Sequence, residues 1–267
     1  MAEETLIQIQ HLSKKYQPTV WKKGKRANTQ DMPYVLKDVN LTIPEGEFHI
    51  FLGWSGCGKS TLLNILAGFL QKTEGSVQVN QKEVTRPGRE RGVVFQNADA
   101  AIFPWLTVWE NVEYGLKMQK VDMQKRKTTV QNCIGLVGLE GHEQKYPAEL
   151  SGGMKQRVQI ARSLANDSQI LILDEPFGAL DAQTRKIMQN ELIHVWQQTQ
   201  KTILFVTHDI QEAVYLGQKI SVFSRAPDAT IFRTIDLPYP YRRNMDVPEL
   251  SAITKEIEGY FDVDYAI

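Results

Sequence analysis

The stretch Phe48-His49-Ile50-Phe51-Leu52-Gly53-Trp54-Ser55-Gly56-Cys57-Gly58-Lys59-Ser60-Thr61-Leu62-Leu63-Asn64-Ile65-Leu66 decides the fold. Its first five residues, apolar apart from His49, read as a strand, and the run after Ser60 has the apolar spacing of a buried helix. Between them, Gly53 to Ser60 fits G-x-x-x-x-G-K-[ST] in the strand, loop, helix order that this pattern requires. Glycines there let the backbone curl until successive N–H groups converge on phosphate oxygens, with the positive end of the helix dipole beneath. A nucleotide is therefore expected on Gly53, Trp54, Ser55, Gly56, Cys57, Gly58, Lys59, Ser60 and Thr61. Lys59 would reach the β and γ phosphates, and the Ser60 hydroxyl would bind Mg²⁺. Cys57 has two readings, a thiol activated by the helix start or a small residue that fits the loop.

Outward from this stretch, short β-type runs alternate with longer helical patterns, which argues for an α/β fold with a largely parallel sheet. Ile7, Ile9, Val39, Leu41 and Ile43 alternate with polar residues, as an antiparallel edge layer does. Residues 17–33 are polar, carry Lys22, Lys23, Lys25 and Arg26, and show neither period. They read as a surface excursion, with lipid headgroups as an alternative contact for the basic cluster. Thr107-Val108-Trp109-Glu110 has the form of a capping box and predicts a helix to about Gln119. Further helical patterns cover 123–137 and the residues after Leu150-Ser151-Gly152-Gly153. Segments 169–173 and 202–207 are apolar on both faces, like central parallel strands. Met188, Leu192, Val195 and Trp196 mark the crossover helix between them. Late strands are expected at 219–224 and 230–237, and a short helix near 249–260. The predicted organisation is one domain, 1–267, with a core of 1–96 and 166–240, a helical subdomain of 97–165 and a tail of 241–267.

Composition narrows the function classes. With 267 residues, 42% hydrophobic and 23% charged, the chain reads as globular, and disorder, collagen and long coiled coil are excluded. Lys plus Arg equals Asp plus Glu at 31 each, so no large single-sign field steers the chain toward nucleic acid, and none is expected as a partner. Two cysteines and a start without a basic, then apolar, leader point to a cytosolic chain. No run approaches the roughly 18 apolar residues of a membrane span, so work at a membrane would need another chain to supply it.

Two acids close the run Ile170-Leu171-Ile172-Leu173-Asp174-Glu175, at the strand end where open α/β sheets bind ligands. Neighbours on a strand point opposite ways, so the carboxylates are assigned different tasks. Asp174 is the expected Mg²⁺ partner of Ser60, and Glu175 would orient or deprotonate water at the γ-phosphate. Capping of the turn at Pro176 is the competing reading.

Leu150-Ser151-Gly152-Gly153-Met154-Lys155-Gln156 combines a hydroxyl, free N–H groups and a helix start, so it is a second anion site by the same physics. This segment resembles the signature of ABC-transporter ATPases. The loop at 53–60, Gln96, Asp174-Glu175, Gly178-Ala179-Leu180-Asp181 and His208 stand in that family's order across roughly residues 5–237. The resemblance implies a P-loop NTPase (RecA-like) core with an antiparallel β layer and an inserted helical subdomain. It also implies an ATP- and Mg²⁺-dependent ATPase, with Lys59, Glu175 and His208 as its catalytic residues. Ser151, Gly152 and Gly153 of one copy would meet the ATP held by Lys59 of a second copy, with Asp181 at the seam. His208 would contact the γ-phosphate, and Gln96 would join Ser60 and Asp174 around Mg²⁺. Tyr16 would stack on adenine through its π face, a core-packing tyrosine being the alternative. His11, His49, His142 and His194 are expected to be structural.

Phe103-Pro104-Trp105-Leu106-Thr107-Val108, in a chain without an added regulatory domain, is similar to ATPases of bacterial importers for nitrate, sulfonates, taurine or bicarbonate. Phe103 and Trp105 are the candidates to receive a membrane-spanning permease, a hydrophobic staple being the bland alternative. The implied setting is peripheral, on the cytoplasmic face of the inner membrane, with permease subunits and an extracytoplasmic solute-binding protein. The chain departs from the family pattern at bulky Trp54, in the 17–33 excursion and in extra residues between Gln96 and Pro104. A soluble ABC ATPase of DNA repair or translation and a catalytically silent scaffold are the rival readings.

Overall fold

A computed structural model describes residues 5–16, 32–241 and 243–262. The basic cluster of the 17–33 excursion lies outside the described residues. The chain divides into two compact units, one comprising Met1–Pro87, Val206–Tyr239 and Asn244–Ile267, the other Gly88–Phe205 and Pro240–Arg243. The helical pattern at 97–165 thus falls within a unit that also holds the segments up to Phe205.

In the first unit, β1 (Thr5–Lys14) and β2 (Leu36–Pro44) lead into β3 (Phe48–Leu52), α1 (Lys59–Ala67), β4 (Glu74–Val79) and β5 (Lys82–Glu83). β1 runs antiparallel to β2, with Ile7 opposite Ile43 and Ile9 opposite Leu41, and antiparallel to β4, with Ile9 opposite Val77. The resulting sheet has the order β2-β1-β4-β5. Ile7, Ile9, Val39 and Ile43 are buried, which is the half-buried face that their alternation predicts. All five residues of β3 are buried.

The second unit holds β6 (Arg91–Val94), α2 (Ala98–Ala101), α3 (Val108–Met118), α4 (Met123–Leu136), α5 (Gly152–Ala165), β7 (Ile170–Asp174) and α6 (Ala182–Thr199). Strand β8 (Thr202–Thr207) begins there and passes into the first unit at Val206. The chain then forms α7 (Ile210–Leu216), β9 (Lys219–Phe223), β10 (Ile231–Asp236) and α8 (Pro248–Asp262). Strand order is β10-β9-β3 in the first unit and β8-β7-β6 in the second. The fold is α/β of the P-loop NTPase type: the first unit combines the antiparallel layer with the parallel pair β3–β9, and the second holds the parallel pair β6–β7.

Helix α3 starts at the expected capping box: Glu110 N–H donates to the Thr107 hydroxyl at 3.2 Å, and Glu110 Oε2 accepts from Thr107 N–H at 2.9 Å. Asn111, one residue on, is fully buried. Its Nδ2 donates to the carbonyls of Phe103, Leu106 and Thr107 at 3.0–3.1 Å, and its Oδ1 accepts from Phe103 N–H at 2.9 Å. One side chain thereby ties down the loop from Phe103 to Thr107. Asn111→Ala is expected to lower stability by about 2–3 kcal/mol, because it strands several buried polar groups. Urea unfolding measures this, and a loss below about 0.5 kcal/mol would contradict it.

Candidate nucleotide site

β3 lies parallel to β9, with Leu52 opposite Val222, so the Gly53–Ser60 loop leaves the C-terminal end of a parallel pair, where such sheets bind ligands. Gly56 (φ 80°) and Gly58 (φ 100°) are both left-handed, a conformation that costs other residues about 1–2 kcal/mol. Gly58 is the N-cap of α1 and has no side chain to cap it. The first-turn amides of α1 have no helical acceptor. A Cβ on Gly58 would come within 2.8 Å of Leu36 Cδ2, whereas one on Gly56 would meet nothing within 4 Å.

Lys59 is only 4% exposed, and its ammonium donates to the carbonyls of Gly53 at 2.6 Å and Trp54 at 2.7 Å. Cys57 N–H donates to the same Trp54 carbonyl at 3.3 Å. The Ser60 hydroxyl lies on an exposed residue at the helix start. The loop thus carries amides, an ammonium and a hydroxyl, and this donor set fits a polyphosphate.

Burial is the main influence on the Cys57 thiol and pushes its pKa up, while neighbouring Lys59 pulls the other way. Burial likewise raises Cys133, to about 11. Both are buried and unpaired, so the packing reading of Cys57 prevails over the redox one. Each unit of upward shift means tenfold less thiolate. Iodoacetamide at pH 7.5 should therefore label both native thiols more slowly than the urea-unfolded chain, Cys133 by more than tenfold, as read by mass spectrometry.

Tyr16 is 47% exposed, and its hydroxyl lies 3.2 Å from Thr61 Oγ1 in the first turn of α1. The ring is not a core tyrosine, and it sits next to the phosphate loop's helix. His208 follows β8 on an exposed turn. That turn is locked: the Thr207 hydroxyl donates to Glu212 Oε2 at 2.6 Å and accepts from Asp209 N–H at 3.0 Å, while Asp209 caps α7 through Glu212 N–H. His49 is structural as expected, fully buried between Glu47 (2.5 Å at Nδ1) and Ser221 (2.8 Å at Nε2). A serine, histidine, acid line of this kind is closed to any substrate.

In the second unit, β6 and β7 run parallel with Val94 opposite Leu173. Gln96 and Glu175 each follow two residues later, so both leave the same end of the pair. Both also stand close to Gly178: a Cβ built there would lie 3.5 Å from Gln96 Nε2 and 4.0 Å from Glu175 Oε2. Asp174 ends β7 half-buried, and Glu175 adopts φ 43°. Strand alternation is therefore not what separates the two acids. The strand stops at Asp174, and a left-handed residue, costly for a side chain with a Cβ, turns the next carboxylate away.

Ser151 is the exposed N-cap of α5, its hydroxyl accepting from Met154 N–H at 3.3 Å. The amides of Gly152 and Gly153, in the first turn, have no helical acceptor. Asp181 caps α6 by accepting from Gln183 and Thr184 N–H at 3.1 and 3.0 Å, and hydrogen bonds from Thr184 hold its carboxyl below the usual carboxylate range. Sequence reasoning gave no role to Gln159, and quoted Gln156 only as part of the signature. Both are buried. Gln156 Nε2 and Gln159 Nε2 donate to the Phe95 carbonyl at 3.3 and 3.2 Å, and Gln159 Oε1 accepts from Phe95 N–H at 2.9 Å. The signature helix thus grips the backbone immediately before Gln96.

The residues between Gln96 and Pro104 form the one-turn α2, capped by Asn97. Beyond it, Phe103 packs against Trp105 at 5.6 Å and Tyr114 at 4.7 Å between ring centroids, and Trp105 is 69% exposed. This is an aromatic patch on the surface. Among the described residues no helix is long and apolar enough to cross a membrane.

Residues 36–178 match the family model described as ABC transporter. The chain is 43% identical over 236 residues to the aliphatic sulfonates import ATP-binding protein SsuB of Bacillus subtilis, covering 87% of this chain and 90% of that protein. It is 47% identical over 206 residues to the taurine import ATP-binding protein TauB of Pelagibacter ubique, covering 77% of each. It is 48% identical over 217 residues to the nitrate import ATP-binding protein NrtD of Synechocystis, covering 80% and 79%. Among solved structures, the dimeric bacterial ABC transporter cassette MJ0796 superposes with a TM-score of 0.71 at 32% identity, covering 88% of this chain and 100% of that one. The same cassette bound to ADP and Pi, in a post-hydrolysis state, gives 0.70 at 31% identity with the same coverage. Read together with the glycine loop, the serine-glycine-glycine helix start and the paired acids, these likenesses establish that the chain belongs to the ABC transporter family, as an ATPase of that family.

Proposed function

We propose that this chain is the ATP-hydrolysing subunit of a bacterial importer for a small solute of the nitrate, sulfonate, taurine or bicarbonate type. The observation that carries the reading is that the chain has two helix starts suited to phosphate, one at Gly58-Lys59 at the end of the glycine loop and one at the exposed Ser151-Gly152. Two such starts on one chain suit a head-to-tail pair, in which ATP held by Lys59 of one copy is closed over by Ser151, Gly152 and Gly153 of the other. The dimeric cassettes that the chain resembles support that arrangement. The import relatives support the solute class.

Residue roles follow from the chemistry. Gly53 to Thr61 cradle the phosphates through backbone N–H groups, and Lys59 neutralises charge on the β and γ oxygens. Tyr16 offers its half-exposed ring to adenine. Glu175 takes or orients the proton of the attacking water. His208 contacts the γ-phosphate, and Asp181 stands at the seam between copies. The donors at hand also fit Mg²⁺, since a serine hydroxyl, an amide oxygen and a carboxylate are the hard oxygen ligands that it prefers. A hard cation with few protein oxygens keeps waters and phosphate oxygens. Ser60, Gln96 and Asp174 would be those protein ligands. When bound, the ion neutralises charge on the phosphates.

The partners are a second copy, permease subunits seated on the Phe103, Trp105 and Tyr114 patch, and an extracytoplasmic solute-binding protein. The chain is then peripheral on the cytoplasmic face of the inner membrane. The test is affinity purification of the tagged full chain from its native cells. Membrane permease chains should co-purify with ATPase activity stimulated by solute. Recovery with soluble repair or translation factors only would overturn the transport reading, and absent phosphate release would overturn hydrolysis.

A further inference from the structure

From Gly53 to Gly58, Trp54 is the one bulky side chain among glycines, a serine and a cysteine. Its ring is held from two sides within the first unit. The Arg225 guanidinium lies over it, Cζ 4.3 Å from the ring centroid. Phe261, in the last turn of α8, meets it edge-on, with centroids 5.3 Å apart and planes at 66°. Both are favourable arrangements, a cation on a π face and a T-shaped aromatic pair. Helix α8 has its own anchors away from the loop: Leu250 and Ile257 are buried, and Tyr260 packs on Phe232 of β10 at 5.8 Å.

The backbone of Trp54 is also the hub of the loop, since its carbonyl accepts from both Lys59 Nζ and Cys57 N–H. A side chain fixed by the C-terminal helix therefore belongs to the same residue whose peptide holds the phosphate-binding lysine. We propose that Arg225 and Phe261 clamp Trp54 and so pre-position Lys59, making α8 a positioning element of the nucleotide site. The inference rests on the reading of residues 53–60 as the ATP loop. Without the clamp the loop must be ordered at the moment ATP binds, and that ordering cost falls on affinity. The acid that activates water, Glu175, is untouched, so the effect should appear in KM rather than kcat.

Phe261→Ala in the full chain should raise KM for ATP about five- to twentyfold with kcat within twofold, and Arg225→Gln should act in the same direction. Phe261→Tyr should restore the wild-type KM. The buried anchors of α8 should keep the unfolding temperature of Phe261→Ala close to wild type. An independent readout is ¹⁹F NMR of the 5-fluorotryptophan-labelled chain, the Trp54 line being assigned with Trp54→Phe. That line should move in Phe261→Ala without any nucleotide. An unmoved line would overturn the clamp, and a moved line with unchanged KM would overturn the positioning role. A KM in Phe261→Tyr as high as in Phe261→Ala would overturn the aromatic contact as its cause. Failure of the unaltered chain to bind ATP would overturn the loop reading itself and the positioning role with it; the Trp54 line reports on the physical clamp separately.

Discussion

Glu175→Gln slows ATP hydrolysis by about 10²–10⁴-fold in kcat and leaves the Kd for ATP within about threefold. The magnitude is that of general-base assistance, roughly 3–5 kcal/mol of barrier. Gln keeps the size and the hydrogen-bonding reach of Glu but cannot take a proton. Binding is expected to be spared because the groups proposed to cradle phosphate belong to the loop from Gly53 to Thr61. Glu175 also stands at φ 43°, and Gln tolerates that conformation no better or worse than Glu, so the exchange isolates the carboxylate. Single-turnover phosphate release and equilibrium binding of ATP measure the two halves of the prediction. A fall in kcat below tenfold would remove Glu175 from the chemistry.

Lys59→Ala is the second large effect, and it has a different shape. The ammonium is the one positive charge on the loop, and charge-assisted contacts are worth about 1.5–3 kcal/mol each. With the proposed contacts to both β and γ oxygens, kcat/KM for ATP should fall by about 10²–10⁴-fold, through affinity as well as rate. Lys59 also serves the protein itself, since its Nζ satisfies the carbonyls of Gly53 and Trp54. Its loss therefore strands two acceptors and should lower stability by about 1–2 kcal/mol. Measuring the unfolding temperature beside kcat/KM separates the two, and turnover retained without the lysine would sink the assignment.

Local features were legible in advance. The β3 strand has the expected bounds, the capping box at Thr107 and Glu110 forms as read, and α5 begins at the serine-glycine-glycine turn. Each of these is decided by residues within a few positions of one another. Strands β4, β5 and β6 were not legible, because Glu74-Gly75-Ser76, Lys82-Glu83 and Arg91-Gly92 have little β propensity of their own and become strands by pairing with β1, β4 and β7 respectively. Helix α7 escaped notice for a similar reason, being only seven residues long.

The same division holds for the chemistry. The sequence by itself determined which residue types bear charge or free amides and in what order, because glycine, lysine and paired acids at fixed spacing act through their own backbone and side chains. Only the tertiary structure decided how those groups are aimed: the left-handed turn at Glu175, the grip of Gln156 and Gln159 on Phe95 some sixty residues away, and the packing of Arg225 over and Phe261 edge-on against Trp54. A buried polar group must be partnered, and an exposed ring settles where it finds surface to cover. The partner comes from wherever the folded chain happens to bring one, a distance in space that no local spacing records.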